Sequence, residues 1–259
     1  MAQIFNHTPL QLEVLPLIDA RGCIVAVAIA KLSFDIRPDG NLYIAAEPEP
    51  LRWIDARLPD GLVRMPSDLA PHKHGADIVI APPVSEQRRQ QLDGARVRIG
   101  VGSLTIARKL DQPWPLGALA PESKPRAALA GTYDDAWVRE RMPLLPVDFD
   151  PAFHQVAPPA QQVAGGLHGD ERLDIDGVYP DGTLRCQLPG RAVLVSGNVQ
   201  SRYFTEIAML DTLILDAESP RLTLVWRRAI AVRQKFEELS NLSLGLARLR
   251  TVRELYGTP

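Results

Sequence analysis

The stretch that decides the fold is Cys23-Ile-Val-Ala-Val-Ala-Ile-Ala-Lys-Leu-Ser-Phe-Asp-Ile36. Val25, Val27, Ile29 and Lys31 fall on one parity, and Ile24, Ala26, Ala28 and Ala30 on the other. Successive side chains of a strand point to opposite faces. Here both faces are apolar, as in a central strand covered on both sides. The segment before it, Leu12 to Asp19, is also rich in apolar and β-branched residues. The turn Ala20-Arg-Gly22 lies between them, so the pair predicts a hairpin. The longest apolar run, Cys23 to Ala30, is far too short to cross a bilayer as a helix.

The same reading extends outward. Pro38-Asp-Gly-Asn41 is turn chemistry before a short strand from Leu42 to Ala45. Residues 47–74 are Pro- and charge-rich and predict loop. Asp77 to Ala81 predicts a buried strand stopped by Pro82-Pro83. Ser85 is placed to cap a short helix running to Leu92. Arg96, Arg98 and Gly100 alternate with Val97, Ile99 and Val101, and Ser103 to Ala107 returns after Gly102, which predicts a second hairpin. Further strands are expected at Arg172 to Ile175, Leu184 to Leu188, Arg191 to Val195, Leu210 to Asp216 and Arg221 to Trp226. No internal repeat is visible.

The chain carries 23 Pro and 18 Gly, which fits short strands joined by stiff connections rather than long helices. Only the last segment reads otherwise. Val232, Phe236, Leu239, Leu242, Leu246, Leu249, Val252 and Tyr256 step by threes and fours, the stripe of an amphipathic helix over 231–259. Gly245 is a place for that helix to bend or split. The expected architecture is therefore mainly β: a twisted antiparallel β-sandwich or large curved sheet over 1–230, with long Pro-rich loops and a C-terminal α-helix. The stretch 111–131 is a candidate internal boundary.

Net charge is −2, with 29 Lys+Arg against 31 Asp+Glu. That is not the basic excess of a nucleic-acid binder. Met1-Ala-Gln-Ile-Phe-Asn6 has no basic and apolar leader pattern, so a cytoplasmic protein without membrane insertion is expected. The two cysteines, Cys23 and Cys186, each lie in strand-like apolar runs and read as buried free thiols.

Several groups bear on chemistry. Asp148 and Asp150 with His154 and His168 have the residue types of acid–base or metal chemistry. The alternative is that both carboxylates cap turns or bind backbone N–H groups in a Pro-rich loop. His72 and His74, near Asp68 and Asp77, share a face if extended, which permits a metal. Val195-Ser-Gly197 lacks the glycine and context of a nucleophile elbow. Gly100-x-Gly102 and Gly165-Gly166 read as turns. Trp137, Phe149 and Phe153 either face a partner or pin a loop to the sheet. Tyr133 and Trp137 have the spacing to staple a helical turn.

Taken in order, several blocks resemble the effector-adaptor family of bacterial type VI secretion. They are Asn6-His-Thr-Pro9, Lys31-Leu-Ser-Phe34, Asp68-Leu-Ala-Pro71 and Asp77-Ile-Val-Ile80. Next come Gly131-Thr-Tyr-Asp134, Trp137 and Pro143-Leu-Leu-Pro-Val-Asp-Phe-Asp150. Ala157-Pro158, Gln161, Leu167-His-Gly-Asp-Glu171, Gly177, Pro180-Asp-Gly182 and Leu188-Pro189 follow. Asp211-Thr-Leu-Ile-Leu215 and Leu222-Thr-Leu-Val-Trp-Arg227 close the series. The order spans roughly Asn6 to Arg228, and the central Gly-Thr-Tyr-Asp to Asp-Phe-Asp block is the most specific part. The chain departs from that family in its middle, where only Asp111 to Ala130 stand for a longer aromatic-rich section.

The resemblance implies a non-enzymatic adaptor or chaperone that binds a toxin effector and helps place it on the spike protein. It implies no cofactor, no metal and no catalytic residue. Tyr133, Trp137, Asp148, Phe149, Asp150, Phe153 and Gln161 are its candidate partner-binding residues. The competing readings are a hydrolase using Asp148, Asp150 and His154, and a structural component of the spike tip.

Overall fold

A computed structural model describes residues 2–19, 21–110, 126–180 and 182–256. The first strands are β1 (Gln3–Asn6), β2 (Gln11–Ile18), β3 (Ile24–Ile36) and β4 (Leu42–Ile44). The connection after them holds the small ribbon β5 (Ala56–Arg57) and β6 (Val63–Met65), and leads into β7 (Gly75–Ala81). Helix α1 (Glu86–Leu92), β8 (Arg96–Val101), β9 (Leu104–Lys109), helix α2 (Asp135–Glu140) and β10 (Gln162–Ala164) form the middle. The rest is β11 (Arg172–Tyr179), β12 (Gly182–Gln187), β13 (Arg191–Val199), β14 (Arg202–Asp216), β15 (Arg221–Ala231), β16 (Leu239–Arg248) and helix α3 (Leu249–Tyr256).

β3 sits where its sequence puts it. It pairs along its length with β15 on one side, and with β2 and then β4 on the other. Its two faces go to different apolar clusters. Ala26, Ala28, Ala30, Leu32 and Phe34 enter the main core, and Val25, Val27 and Ile29 enter a second cluster on the opposite face. The large sheet runs β1-β16-β13-β14-β15-β3-β2 and curls into a half-barrel. A four-stranded sheet, β12-β11-β8-β9, contributes Val97, Ile99, Leu173 and Ile175 to the same main core. The hairpins β2-β3 and β8-β9 are both present.

β14 carries the topological change. Its first half pairs antiparallel with β13, from Ala208 back to Arg202. After Leu210 the register shifts, and Thr212 to Asp216 pair in parallel with Asp77 to Ala81 of β7. The strand therefore starts well before the expected Leu210, because the polar run Arg202-Tyr-Phe-Thr-Glu206 shows no clean alternation. Helix α1 ties the two sheets together. Ser85 caps it by accepting from the Arg88 amide, and the Arg88 side chain donates to the Ala217 carbonyl at 3.1 Å and to the Val178 carbonyl.

Two expectations are corrected. The C-terminal stripe is not one helix over 231–259. Residues Leu239–Arg248 form β16, and among the described residues of this segment α-helix is found at Leu249–Tyr256, with a 3-10 turn at Phe236–Glu238. Leu242 and Leu244 are both buried, an alternation hidden under the three-and-four spacing, and β16 is held between β13 and the parallel β1. Partner strands on both sides decide such an ambiguous run, because they satisfy its backbone groups. Cys23 is exposed and only Cys186 is buried. Burial, with Asp174 nearby, pushes the Cys186 thiol up to about 11. We expect a thiol reagent at pH 8 to modify Cys23 alone in the native protein, and Cys186 only after denaturation, as read by mass spectrometry. Most of the candidate boundary at 111–131 lies outside the described residues. The described remainder includes a single 3-10 turn at Arg126–Leu129. Ala20 and Asp181, members of two expected turns, also lie outside them.

Candidate functional site

The most specific sequence block, residues 131–154, folds largely on itself. Gly131 has φ +82°, and a Cβ there would meet the Pro146 side chain at 2.8 Å, so this position accepts only glycine without strain. The next residue, Thr132, donates its amide to Asp148 Oδ1 at 2.9 Å and its hydroxyl to Asp148 Oδ2 at 2.7 Å. Asp134 caps α2 by accepting from the Trp137 amide, and the Trp137 indole donates to the Leu144 carbonyl at 2.8 Å. Tyr133 packs edge-on against Trp137 with ring centroids 4.7 Å apart. The predicted staple is present. Asp150 caps the single turn Pro151–His154 through the Ala152 amide, and Phe149, Phe153 and His154 pack ring against ring.

Of these two carboxylates Asp150 caps a turn, and Asp148 braces the block across sixteen residues by accepting from Thr132. The amide and then the hydroxyl of Thr132 hold the Asp148 carboxyl below its ordinary pKa. That is the wrong direction for a general acid, which needs its proton near neutral pH. Helix α2 buries none of its residues. The block leaves a run of apolar side chains in solvent: Tyr133 at 53%, Val138 at 52%, Met142 at 62% and Val147 at 85%. Trp137, Phe149 and Phe153 are half-buried and Asp148 and Asp150 exposed, so these lie at or near the surface. Gln161 does not. It is buried, donating to the Ile78 carbonyl at 3.1 Å, and the expectation that it faces a partner is corrected. A glutamine just before a strand binds backbone as readily as solvent, and nothing in its spacing marks the difference.

The remaining blocks converge elsewhere, on the face of the large sheet opposite the main core. Asp77, Thr212, Val225, Lys31 and Gln11 stand opposite one another across β7, β14, β15, β3 and β2. Lys31 donates to Asp68 at 2.8 Å and to the Pro50 carbonyl at 3.0 Å. Lys73 donates to Asp77 at 2.7 Å and to Thr212 at 2.8 Å. Asp77 also accepts from the Gln155 side chain and from the amides of Val156 and Ala157. Arg227 lies 3.2 Å from Asp211, and Ser33 and Thr223 share a hydrogen bond of 2.9 Å. Lys31, Ser33, Asp77 and Asp211 are fully buried.

A buried charge is tolerated only when paired and hydrogen-bonded. This layer therefore clamps two connections onto the sheet: residues 47–74, which bring Asp68 and Lys73, and residues 155–161. The motif blocks Lys31-Leu-Ser-Phe34, Asp68-Leu-Ala-Pro71, Asp77-Ile-Val-Ile80, Asp211-Thr and Leu222-Thr-Leu-Val-Trp-Arg227 supply most of it. Charged or hydroxyl residues inside otherwise apolar strands were the available signal. The layer also answers the metal reading of His72 and His74. Their rings meet at right angles 5.5 Å apart, but Asp68 and Asp77 turn away to the lysines. Partial desolvation, then the neighbouring His74, holds the His72 pKa below its ordinary value. Among the described residues no group of three or more His, Cys, Asp or Glu side chains is placed to hold a metal. Nor is any helix among them long and apolar enough to cross a membrane.

No curated protein and no solved structure matches the chain. A family model described as an uncharacterized protein conserved in bacteria, DUF2169, matches residues 21–110 and 104–227. That match takes in β3, the clamped connections, the self-stitched block and the strands up to Arg227, and the chain belongs to the bacterial family DUF2169.

Proposed function

We propose that this protein is a non-enzymatic binding protein, an adaptor that holds a toxin effector and presents it to the spike of a type VI secretion system. The single observation that carries the binding part is the apolar surface at 133–147. A soluble surface seldom leaves several large apolar side chains together in solvent unless they are covered by a partner. Here they stand on a block braced from within by Asp134, Asp148 and Asp150, so the surface is preorganised and little ordering opposes docking. The secretion setting comes from the resemblance of the motif blocks, in particular Gly131-Thr-Tyr-Asp134 and Pro143 to Asp150. The use of Asp148 as a brace and Asp150 as a cap favours binding over hydrolysis at this place.

The test is capture by the tagged full chain from a bacterium expressing its secretion genes. The variant Val138→Ser/Met142→Ser/Val147→Ser removes exposed apolar side chains that carry no core. We expect recovery of a neighbouring-gene toxin or spike protein by the parent chain. Recovery by the variant should fall at least tenfold, with an unchanged melting temperature. Equal recovery by both chains removes the surface from the argument. Absence of both partners counts against the adaptor reading itself.

A further inference from the structure

A cleft of about 410 Å³ lies where residues of β3, β4, β13, β15 and β16 approach one another. Its walls include Leu32, Phe34, Ile44, Trp226 and Leu246, with Arg191 at the rim. A second cleft of about 420 Å³ shares Trp226 and Arg191, so the two hollows meet at those residues. This size is at the lower end of ordinary small-ligand sites.

Arg191 starts β13, and directly opposite it in register stands Arg248, which ends β16. Side chains so placed on an antiparallel pair are immediate neighbours, and like charges there repel. Both arginines are exposed, and neither has an ion pair or side-chain hydrogen bond among the described residues. Carboxylates on neighbouring elements are already engaged: Glu206, in the wall of the second cleft, with Arg228, and Asp170 with Arg253. The sheet thus sets two uncompensated cations side by side: Arg191 in the lining of a largely apolar cleft that also holds Asn41 and Gln187, and Arg248 beside it in register. A local rule broken this way is expected where a ligand completes the site.

We propose that this cleft binds a carboxylate carrying an apolar tail, with the carboxylate between Arg191 and Arg248 and the tail along Trp226 and Phe34. A guanidinium fork matches a planar carboxylate through two parallel hydrogen bonds. An inorganic dianion would gain nothing from the apolar walls and would lose hydration beside them. Two sources have this chemistry: a free medium-chain fatty acid, and the C-terminus of a polypeptide ending in an apolar residue. The inference stands apart from the adaptor reading, because it concerns the cleft beside Trp226 and not the 133–147 surface.

The test is calorimetric titration of the full chain with decanoate, with the tripeptide acetyl-Ala-Leu-Phe as free acid and as amide, and with inorganic phosphate. At least one free acid is expected to bind, the amide at least tenfold more weakly than the acid, and phosphate not at all. Binding of decanoate alone assigns the site to fatty acids, and binding of the peptide acid alone assigns it to chain termini. Arg191→Ala should weaken binding at least tenfold at unchanged melting temperature. Arg248→Glu should abolish binding and raise the melting temperature, because the new carboxylate neutralises Arg191 from within. No binding of either acid at millimolar concentration overturns the proposal, as does phosphate binding as tightly as the acids, or an unchanged affinity in Arg191→Ala.

Discussion

Replacing Asp77 with alanine is expected to lower the stability of the fold by about 3–5 kcal/mol, the usual cost of stranding one member of a buried ion pair. The side chain is fully buried and accepts from Lys73, from Gln155 and from the amides of Val156 and Ala157. Its loss leaves the Lys73 ammonium, 3% exposed, with only the Thr212 hydroxyl. It also strips the 155–157 connection of its anchor. Urea denaturation followed by circular dichroism reads the effect as a fall in midpoint. The double variant Lys73→Met/Asp77→Leu separates the two contributions. Removing both charges restores what the stranded ammonium cost, and leaves the Val156 and Ala157 amides unsatisfied at roughly 1–3 kcal/mol each before relaxation, while the Gln155 side chain keeps the Gly75 carbonyl. The double variant should therefore fall between the parent chain and Asp77→Ala. A double variant no better than the single one would show that the anchor, not the charge, dominates.

The second large effect is expected at Gly177. It lies inside β11, where the register against β12 shifts between Ile175 and Tyr179, and it has φ +73°. A Cβ there would sit 2.2 Å from the Arg96 carbonyl oxygen, a backbone atom of the neighbouring strand β8. That contact cannot be relieved by turning a side chain, so the ladder between β11 and β8 must move. Gly177→Ala should cost about 3 kcal/mol or more, in the range of severe backbone and overpacking changes. Gly61 provides the control. Its φ is +86°, but nothing lies within 4 Å of the added atom. Gly61→Ala should cost only the left-handed backbone penalty, about 1–2 kcal/mol. Equal melting temperatures for the two variants would mean that β8 and β11 yield more easily than a packed sheet should.

How much of this was legible in the sequence follows the kind of signal each element carries. β3 was legible because it is apolar on both parities, and its burial on both faces bears that out. The β8-β9 hairpin was legible from alternation around Gly102, and the α1 cap from Ser85. β16 was not, since Leu239, Leu242 and Leu246 fit helical spacing as well as Leu242, Leu244 and Leu246 fit a strand. Only β13 and β1 resolve that choice, and they are remote in the chain. The self-stitched block was legible as residues, from Gly131 to Asp150, but its bracing by Asp148 was read only as one of two alternatives. The buried layer was present in the motif blocks as Lys31, Asp77, Asp211 and Arg227. A single chain gives no way to see that these four would lie on one face of one sheet. Gln161 was misplaced because a side chain that binds a backbone carbonyl looks, in sequence, like any exposed glutamine.

The change of partner along β14 has a consequence for how the chain is made. β3 pairs with β15, β7 with the second half of β14, and β1 with β16, so each of these three early strands waits for a late one. Proteins dominated by such distant pairings fold slowly, because loop closure must precede the contacts that reward it. As the chain leaves the ribosome, the two-sided apolar strand Ile24–Ile36 has only the β2 and β4 edges to pair with until β15 emerges. During that interval it is the segment most prone to pair with another chain.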